Sequence, residues 1–494
     1  MSKTVRRKIG KEHIFTGIRA LVMGLGLHGG GVATAKWLAR HGAKVTATDK
    51  RTKEILVDSI RALQGVPVKY VLGGHRHQDF RTNDLIVVNP GVPRESEYLE
   101  TAIRAGKRIE NDASLFFRYS TNPVIAITGT RGKTTVTLWV ATLLQKKYHD
   151  VLPSGNTPDN AFLKEFERLS ACDARAEVHG DIPVVAEMSS WQLERLSSGG
   201  RAPHVAVVTN LYPDHLNRYN GIRDYANAKV NIFLFQQSDD FLILNHENAW
   251  TPYFLKKKPK ALLFFISKKA LPKNAHGLFV RSGMLIFRFD GMEQKLFSIK
   301  RFTELYGVHN LENLMNAVLA VKLFDPTIAV SLRDVLHLPT PKMRQEIVAK
   351  KGRLTIVNDS CATSPDGTIA AIERFRKMGN IVLVTGGTDK NLEFGALAMM
   401  IKKFILAQNL ILLEGSATKK LIAAFPGSEL SRLNLDKKVL KNLDSCVAEA
   451  FRAAKKLTGK TTILFSPGAA SFEKFLHEFD RGEQFNILVK KYKK

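Results

Sequence analysis

A run from Val124 to Thr128 enters Gly129-Thr130-Arg131-Gly132-Lys133-Thr134-Thr135 and leaves it as a long apolar-periodic stretch. No other segment restricts the fold as much. A strand, a glycine-rich turn and a helix in that order aim backbone N–H groups at phosphate oxygens. The lysine offsets charge on a transferring phosphoryl group, and the hydroxyl after it can reach Mg²⁺. The common GxxxxGK[ST] spacing wants glycine at position 127, where this chain has Ile127, so the loop is a shortened variant. Such a loop sits at the carboxyl end of a strand in an α/β sheet.

Strand and helix periods alternate on both sides of it. Before the loop the reading is a strand at 19–23, glycine-rich 24–31, a helix at 33–40, a strand at 44–48 ending at Asp49, and a helix near 53–63. Short strands at 68–71 and 84–89 then precede the Pro90-Gly91 turn. After the loop come strands at 183–186, 204–209 and 241–244, a hairpin-like stretch at 277–289 turning on Arg281-Ser282-Gly283, and a helix after His309. A third alternation occupies 354–358, 381–385, 410–413 and 462–465. Strands alternating with helices argue for parallel sheets. The predicted fold is α/β in three domains. Residues 1–120 form a Rossmann-like N-terminal domain, 121–340 a central P-loop ATPase-like domain with a mainly parallel sheet, and 341–494 a Rossmann-like C-terminal domain. No apolar run approaches the roughly 20 residues that span a bilayer, and the basic N-terminus lacks the apolar region of a signal peptide. A cytoplasmic protein without membrane insertion is expected. Cys172, Cys361 and Cys446 are widely spaced with no CxxC pair, which supports neither a disulfide framework nor a zinc knuckle.

Two further constellations carry chemistry. Gly24, Gly26 and Gly29 fit GxGxxG after a strand, and Asp49 closes the next strand, as in dinucleotide-binding turns. A nicotinamide-linked dehydrogenase or a plain tight turn would account for that pattern equally. Glu187 follows one strand within EMSSWQLE, and Asp214-His215 follows another within TNLYPDH. In a parallel sheet the carboxyl ends of strands face one crevice, so both groups can converge on a phosphate-bound magnesium ion.

Together GTRGKTT, the E-x-SSxQL stretch at Glu187, the N-x4-H spacing ending at His215, Tyr225-Ala226-Asn227-Ala228-Lys229 and GVHNLEN at 307–313 resemble the Mur ligases, ATP-dependent amide ligases of peptidoglycan precursor synthesis. NDSCATSPDGTIAAI at 358–372, GGTDK at 386–390, SPGAASFEKF at 466–475, VMGLGLHGGG and VVNPGVP at 87–93 resemble the members that add D-glutamate to UDP-N-acetylmuramoyl-L-alanine. The resemblance implies that Gly129, Thr130, Arg131, Gly132, Lys133, Thr134 and Thr135 hold the ATP phosphates. It places Asn310 and Asn313 near adenine, with Arg344 and Asp359 reaching ATP from the C-terminal domain. Thr134 and Glu187 would hold one Mg²⁺ and His215 a second. Lys229 would be carbamylated, turning a cation into an anion that also helps hold magnesium. Gly26, Leu27, His28, Asp49, Lys50, Arg51 and Asn156 would bind the UDP substrate, and Thr363, Lys390, Ser471 and Phe472 the amino acid. Lys133, Lys229 and His215 would carry catalysis, with domain closure about hinges near residues 120 and 340, in a monomer. Asn310 and Asn313 could equally cap the following helix, and Asn156 could form a loop turn.

Three positions depart from the family pattern. Cys361 stands where many members have lysine, Met343 where many have histidine, and Glu478 where an aromatic is common. Cys361 lies in the amino-acid pocket, so L-glutamate or another amino acid is the alternative acceptor. The net charge of +28, from 74 Lys and Arg against 46 Asp and Glu, is spread through every region, with small clusters at 256–260 and 490–494. No nucleic-acid-binding signature accompanies it, so no nucleic-acid partner is expected, whereas polyanionic small substrates suit it. A non-catalytic binding module would explain the charge but not Glu187, His215 and Lys229 together.

Overall fold

A computed structural model describes residues 14–27, 29–155, 161–166, 182–196, 200–214, 218–425 and 438–492. The expected site residues His28, Asn156 and His215 lie outside the described residues. Among those described there are three sheets. The first runs β3-β2-β1-β4-β5, all parallel, from β1 (Arg19–Met23), β2 (Lys44–Asp49), β3 (Val68–Leu72), β4 (Leu85–Val88) and β5 (Arg108–Glu110). Leu85–Val88 is buried throughout, the pattern of a strand covered on both faces.

The second sheet is built from β6 (Val124–Thr128), β7 (Leu152–Gly155), β8 (Val184–Glu187), β9 (Val205–Val208), β10 (Phe241–Asn245), β11 (Leu262–Ser267), β12 (Gly277–Arg281), β13 (Met284–Phe289) and β14 (Met292–Ser298). Its order is β14-β13-β12-β11-β10-β9-β6-β8-β7, parallel except where β12, β13 and β14 pair antiparallel. The expected hairpin is present, turning on Ser282 and Gly283 at φ 50° and 71°, the mirror-image turn that suits strand twist. The third sheet, β15 (Glu346–Lys351), β16 (Leu354–Asn358), β17 (Asn380–Thr385), β18 (Leu410–Leu413), β19 (Val439–Leu440) and β20 (Thr461–Phe465), has the order β15-β16-β20-β17-β18-β19. Only β15 and β16 pair antiparallel.

The chain divides into two compact units, one of residues 1–305 with 310–338 and one of 306–309 with 339–494. In the first, a single apolar cluster runs from Trp37 and Phe116 beside the first sheet to Ala126 and Val208 in the second. In the second unit, separate clusters cover the two faces of the sheet, one around Phe375 and Leu383 and one around Val447 and Phe465. No helix among the described residues is long and apolar enough to cross a membrane.

Two expectations change in detail. The helix near 53–63 shrinks to Val57–Arg61, because Arg51-Thr52-Lys53 belong to a turn in which Asp49 accepts the Arg51 N–H at 2.9 Å. In the first glycine-rich turn, the helix starts at Gly30, and close approach falls on Gly31: a Cβ there would lie 2.4 Å from the Leu25 carbonyl.

Candidate active site

The phosphate loop grows from the carboxyl end of β6, where the Thr128 hydroxyl donates to the Met188 carbonyl at 2.8 Å. The chain then turns into a helix, Lys133–Leu144, whose N-cap Gly132 is left-handed at φ 85°. A Cβ on Gly132 would lie 2.2 Å from Asn313 Oδ1, so glycine is what lets this loop and that asparagine meet. Asn313 in turn donates to Asn310 Oδ1 at 2.9 Å. Asn310 occupies the N-cap of helix Leu311–Phe324 but makes no side-chain cap there, which removes the capping explanation for its presence.

Two residues after β9 brace the loop. Asn210 accepts the Arg131 N–H at 2.9 Å and donates to the Arg131 carbonyl at 3.2 Å, and the Thr209 hydroxyl donates to that carbonyl at 2.7 Å. The Thr130 hydroxyl accepts from the Tyr212 N–H at 3.0 Å. The loop is therefore held from its neighbouring strand, at the start of the helix Lys133–Leu144.

Two ammonium groups meet at one carbonyl. Lys133 folds back so that Nζ donates to Gly129 O at 3.1 Å and Thr130 O at 3.2 Å. Lys229, on helix Ile222–Val230, donates to the same Gly129 O at 2.8 Å and to the Thr128 hydroxyl at 3.3 Å. Lys229 is 1% exposed, with Nζ 4.5 Å from the Tyr225 ring centre. Burial first, and the charge of Lys133 second, push its ammonium well below the ordinary lysine value, while Asp214 opposes them. Such a lysine gives up its proton more readily than a solvated one.

Glu187, expected just after its strand, is the last residue of β8, paired in register with Ile127 of β6. It is buried at the same sheet edge as the loop. Thr134 lies in the first turn of the loop's helix. Among the described residues no three His, Cys, Asp or Glu side chains gather as a metal cluster. Thr134 and Glu187 nevertheless offer a hydroxyl and a carboxylate, the hard oxygen donors that magnesium takes, and His215 lies outside the described residues.

At the first sheet, Asp49 ties the glycine-rich turn to the strand that follows it. Its Oδ2 accepts the Gly26 N–H and its Oδ1 the Arg51 N–H, both at 2.9 Å. Leu27, Lys50 and Arg51 stand exposed around it.

In the second unit, loops after β16, β20 and β17 share the carboxyl edge of the sheet. Met343 at φ 57° and Gln345 at φ 51° flank Arg344 in left-handed backbone, and the Gln345 N–H lands on Asp359 Oδ1 at 2.9 Å. Asp359 Oδ2 accepts from the Ser466 hydroxyl at 2.7 Å. Burial pushes this carboxyl up to about 7 despite those hydrogen bonds and the nearby Arg344 and Arg374. Thr388 and Ala470 exchange both backbone hydrogen bonds at 3.0 Å, which zips the loop carrying Lys390 to the loop carrying Ser471. Ser471 is 2% exposed and its hydroxyl has no hydrogen-bond partner among the described residues. An unpaired buried hydroxyl calls for a ligand. Lys390 is exposed and Phe472 is 67% exposed. Thr363 is half-buried, and Cys361 is buried with its thiol pushed up to about 11, chiefly by burial, so it brings no charge to the pocket.

Several residues escaped the sequence reading. Thr209 and Asn210 stand in the quoted TNLYPDH stretch, and the rule that strand ends bear the site marks them. Arg481 gave no signal, lying in a polar run. It is fully buried and donates to the carbonyls of Ser360 (2.7 Å), Ala469 (3.1 Å) and Ala470 (2.9 Å) and to the Ser360 hydroxyl (3.1 Å).

Comparison with known proteins follows the same lines. The pattern of the Mur ligase middle domain matches residues 127–321, and that of the Mur ligase MurD-like N-terminal domain matches 18–110. The UDP-N-acetylmuramoylalanine--D-glutamate ligase of Roseiflexus sp. (strain RS-1) is 35% identical over 481 residues, covering 96% of this chain and 99% of that protein. The chain belongs to the Mur ligase family. The enzyme of the same name from Borreliella afzelii (strain PKo) is 33% identical over 478 residues, covering 95% of this Mur ligase and 97% of that one. Among solved structures, MurF from Acinetobacter baumannii matches with a TM-score of 0.56 at 14% identity, covering 96% of this chain and 90% of that one. UDP-N-acetylmuramate-alanine ligase MurC from Thermotoga maritima matches with a TM-score of 0.53 at 18% identity, covering 96% and 99%. At those identities the likeness is one of fold, and this Mur ligase shares it: α/β, with mainly parallel sheets.

Proposed function

We propose that this Mur ligase joins D-glutamate to UDP-N-acetylmuramoyl-L-alanine with ATP, giving ADP and phosphate. As a member of the family it uses ATP with Mg²⁺. The observation that carries the reading is the pair Lys133 and Lys229 on one carbonyl of the phosphate loop. The alanine carboxylate attacks the γ-phosphorus to form an acyl phosphate, since a free carboxylate is a poor electrophile. The amine of D-glutamate then displaces phosphate through a tetrahedral intermediate. Lys133 turns toward the transferring phosphoryl group and offsets its charge, and the N–H groups from Gly129 to Thr135 orient it, with Asn310 and Asn313 on the adenine side. Arg344 and Asp359 belong to the ATP site as well. Bound magnesium would offset phosphate charge, and Thr134, Glu187, His215 and a carbamate on Lys229 are the groups to hold it. The depressed basicity of Lys229 supports the carbamate, because only a neutral amine attacks CO₂.

Gly26, Leu27, His28, Asp49, Lys50, Arg51 and Asn156 receive the UDP substrate, and Thr363, Lys390, Ser471 and Phe472 the amino acid. The orphaned Ser471 hydroxyl supports the second assignment. With Cys361 neutral, Lys390 is the charge partner for a glutamate carboxylate. In this reading the protein is a cytoplasmic monomer of three domains, 1–120, 121–340 and 341–494. The deciding experiment supplies ATP, UDP-N-acetylmuramoyl-L-alanine and each candidate amino acid, and follows phosphate release. Turnover with D-glutamate is expected. Turnover with L-glutamate alone would revise the stereochemistry, and turnover with a neutral or basic amino acid but neither glutamate would overturn the acceptor.

A further inference from the structure

Within the first compact unit, the loop after β4 faces the short helix Ser190–Leu193 that follows β8 across a narrow crevice. Asn89, Pro90 and Arg94 line one wall, and Glu194, Arg195 and Arg218 the other. Most of these charges are committed to one another. Arg218 grips Glu194 with two hydrogen bonds, at 3.2 and 2.9 Å, and donates to the Pro90 and Val92 carbonyls at 3.3 and 3.0 Å. The Tyr219 hydroxyl adds a third hydrogen bond to Glu194, at 2.6 Å. Arg94 pairs with Asp224 at 3.1 Å and lies 3.9 Å from Glu194. Glu110, the next carboxylate to feel the crevice, already accepts from Arg108 at 2.8 Å and Arg118 at 3.1 Å.

Arg195 is left over. Among the described residues it has no hydrogen bond and no ion pair, yet it lines the crevice half-buried. Burial and the repulsion of Arg94 and Arg218 weaken its hold on its proton, with Glu194 opposing. The nearest carboxylate, Glu194, is already held by Arg218 and Tyr219, so the half-buried guanidinium is short of a direct partner, and its N–H donors suit an oxyanion. The crevice also adjoins two of the turns that the functional reading gives to the substrates. Asn89 on one wall approaches the first glycine-rich turn, its Cβ 3.0 Å from where a Cβ on Gly24 would lie. The helix on the other wall leaves β8 just after Glu187.

We infer that Arg195 is a binding residue for an anionic group of the nucleotide-sugar substrate, received in the crevice between the 89–94 loop and the helix after β8. The inference rests on the functional reading above. Two sources share this chemistry, the pyrophosphate and the carboxylate of the substrate, and two ligands separate them. UDP-N-acetylglucosamine carries the pyrophosphate alone, and UDP-N-acetylmuramoyl-L-alanine carries both. Calorimetric Kd values for each would be measured on the wild type, Arg195→Gln and Arg195→Lys, with steady-state KM for ATP as the internal control. Arg195→Gln is expected to weaken UDP-N-acetylmuramoyl-L-alanine binding by about ten- to a hundredfold, the range of a charge-assisted hydrogen bond, with Lys recovering part of the loss. KM for ATP and the thermal midpoint should stay as in the wild type, since Arg195 supports no other group. A parallel loss for UDP-N-acetylglucosamine assigns the pyrophosphate, and no loss there assigns the carboxylate. If the wild type binds the muramoyl substrate and Arg195→Gln binds it within twofold, the inference is overturned alone. If the wild type binds neither nucleotide sugar, the functional reading fails and takes the inference with it.

Discussion

Replacing Arg481 by methionine tests whether the amino-acid loops are held from beneath. The guanidinium is fully buried and, among the described residues, has no carboxylate in contact; its partners are the Ser360 hydroxyl and the carbonyls of Ser360, Ala469 and Ala470. Two of these keep other partners after the change, because Ser360 Oγ still donates to Glu478 O and Ala470 O still accepts from Thr388. The Ser360 and Ala469 carbonyls are left buried and unpaired, at about 1–3 kcal/mol each. Burial lowers the arginine to about 10, so it is still charged at neutral pH, and removing it recovers part of its desolvation cost. The balance is a loss of about 3 kcal/mol, localised to the unit that contains residues 339–494. At roughly 2–4 °C per kcal/mol for a body of 150–250 residues, its thermal transition should fall by about 6–12 °C. Because Ala469 and Ala470 lead directly into Ser471, KM for D-glutamate should rise about tenfold or more while KM for ATP changes little. Scanning calorimetry and steady-state kinetics on the full chain read both effects. An unchanged transition together with an unchanged KM for D-glutamate would refute the claim that Arg481 shapes this pocket.

Other perturbations have equally definite outcomes. Lys133→Ala should lower kcat by about a hundredfold or more with folding spared, as measured by phosphate release and circular dichroism. Lys229→Arg keeps the charge but cannot form the proposed carbamate, so it should abolish turnover, and removing dissolved CO₂ should slow the wild type reversibly; full activity in the arginine variant would reduce Lys229 to a structural cation. Gly132→Ala places a side chain in a left-handed position against Asn313, at a cost of about 1–2 kcal/mol for the backbone alone, and should raise KM for ATP most among the substrates. Asp359 is raised to about 7 in the folded state, above its unfolded value, so the folded protein binds the extra proton between those limits. Stability should therefore fall as pH rises from about 4 to 7 and then level off, and Asp359→Asn should flatten that decline in urea titrations.

The sequence disclosed the site best where backbone demands fall on consecutive residues. GTRGKTT announces a turn, a helix start and a cation together, and the structure shows Gly132 left-handed and Lys133 over the loop. Strand cores such as Val124–Thr128 and Leu410–Leu413 were equally legible, because a strand buried on both faces reads as an apolar run. Met292–Ser298 was not, since its outer residues are exposed and polar and only pairing with β13 makes it a strand. Arg481 was invisible for another reason. Its partners are backbone carbonyls from 11 to 121 positions away, and no local pattern encodes an arginine whose use is tertiary. The same applies to Asn210, whose side chain substitutes for a strand neighbour of Arg131 across 79 positions.

A carbonyl with two ammonium donors has one more than it needs. If Lys133 swings away from Gly129 to meet a phosphate, as proposed above, Lys229 still holds that oxygen, and the loop opens without orphaning a buried acceptor. A carbamate on Lys229 retains one N–H on its nitrogen and can keep that duty. The loop thus carries a spare donor, and the reorganisation that would otherwise tax the first contact with nucleotide is paid in advance by the fold.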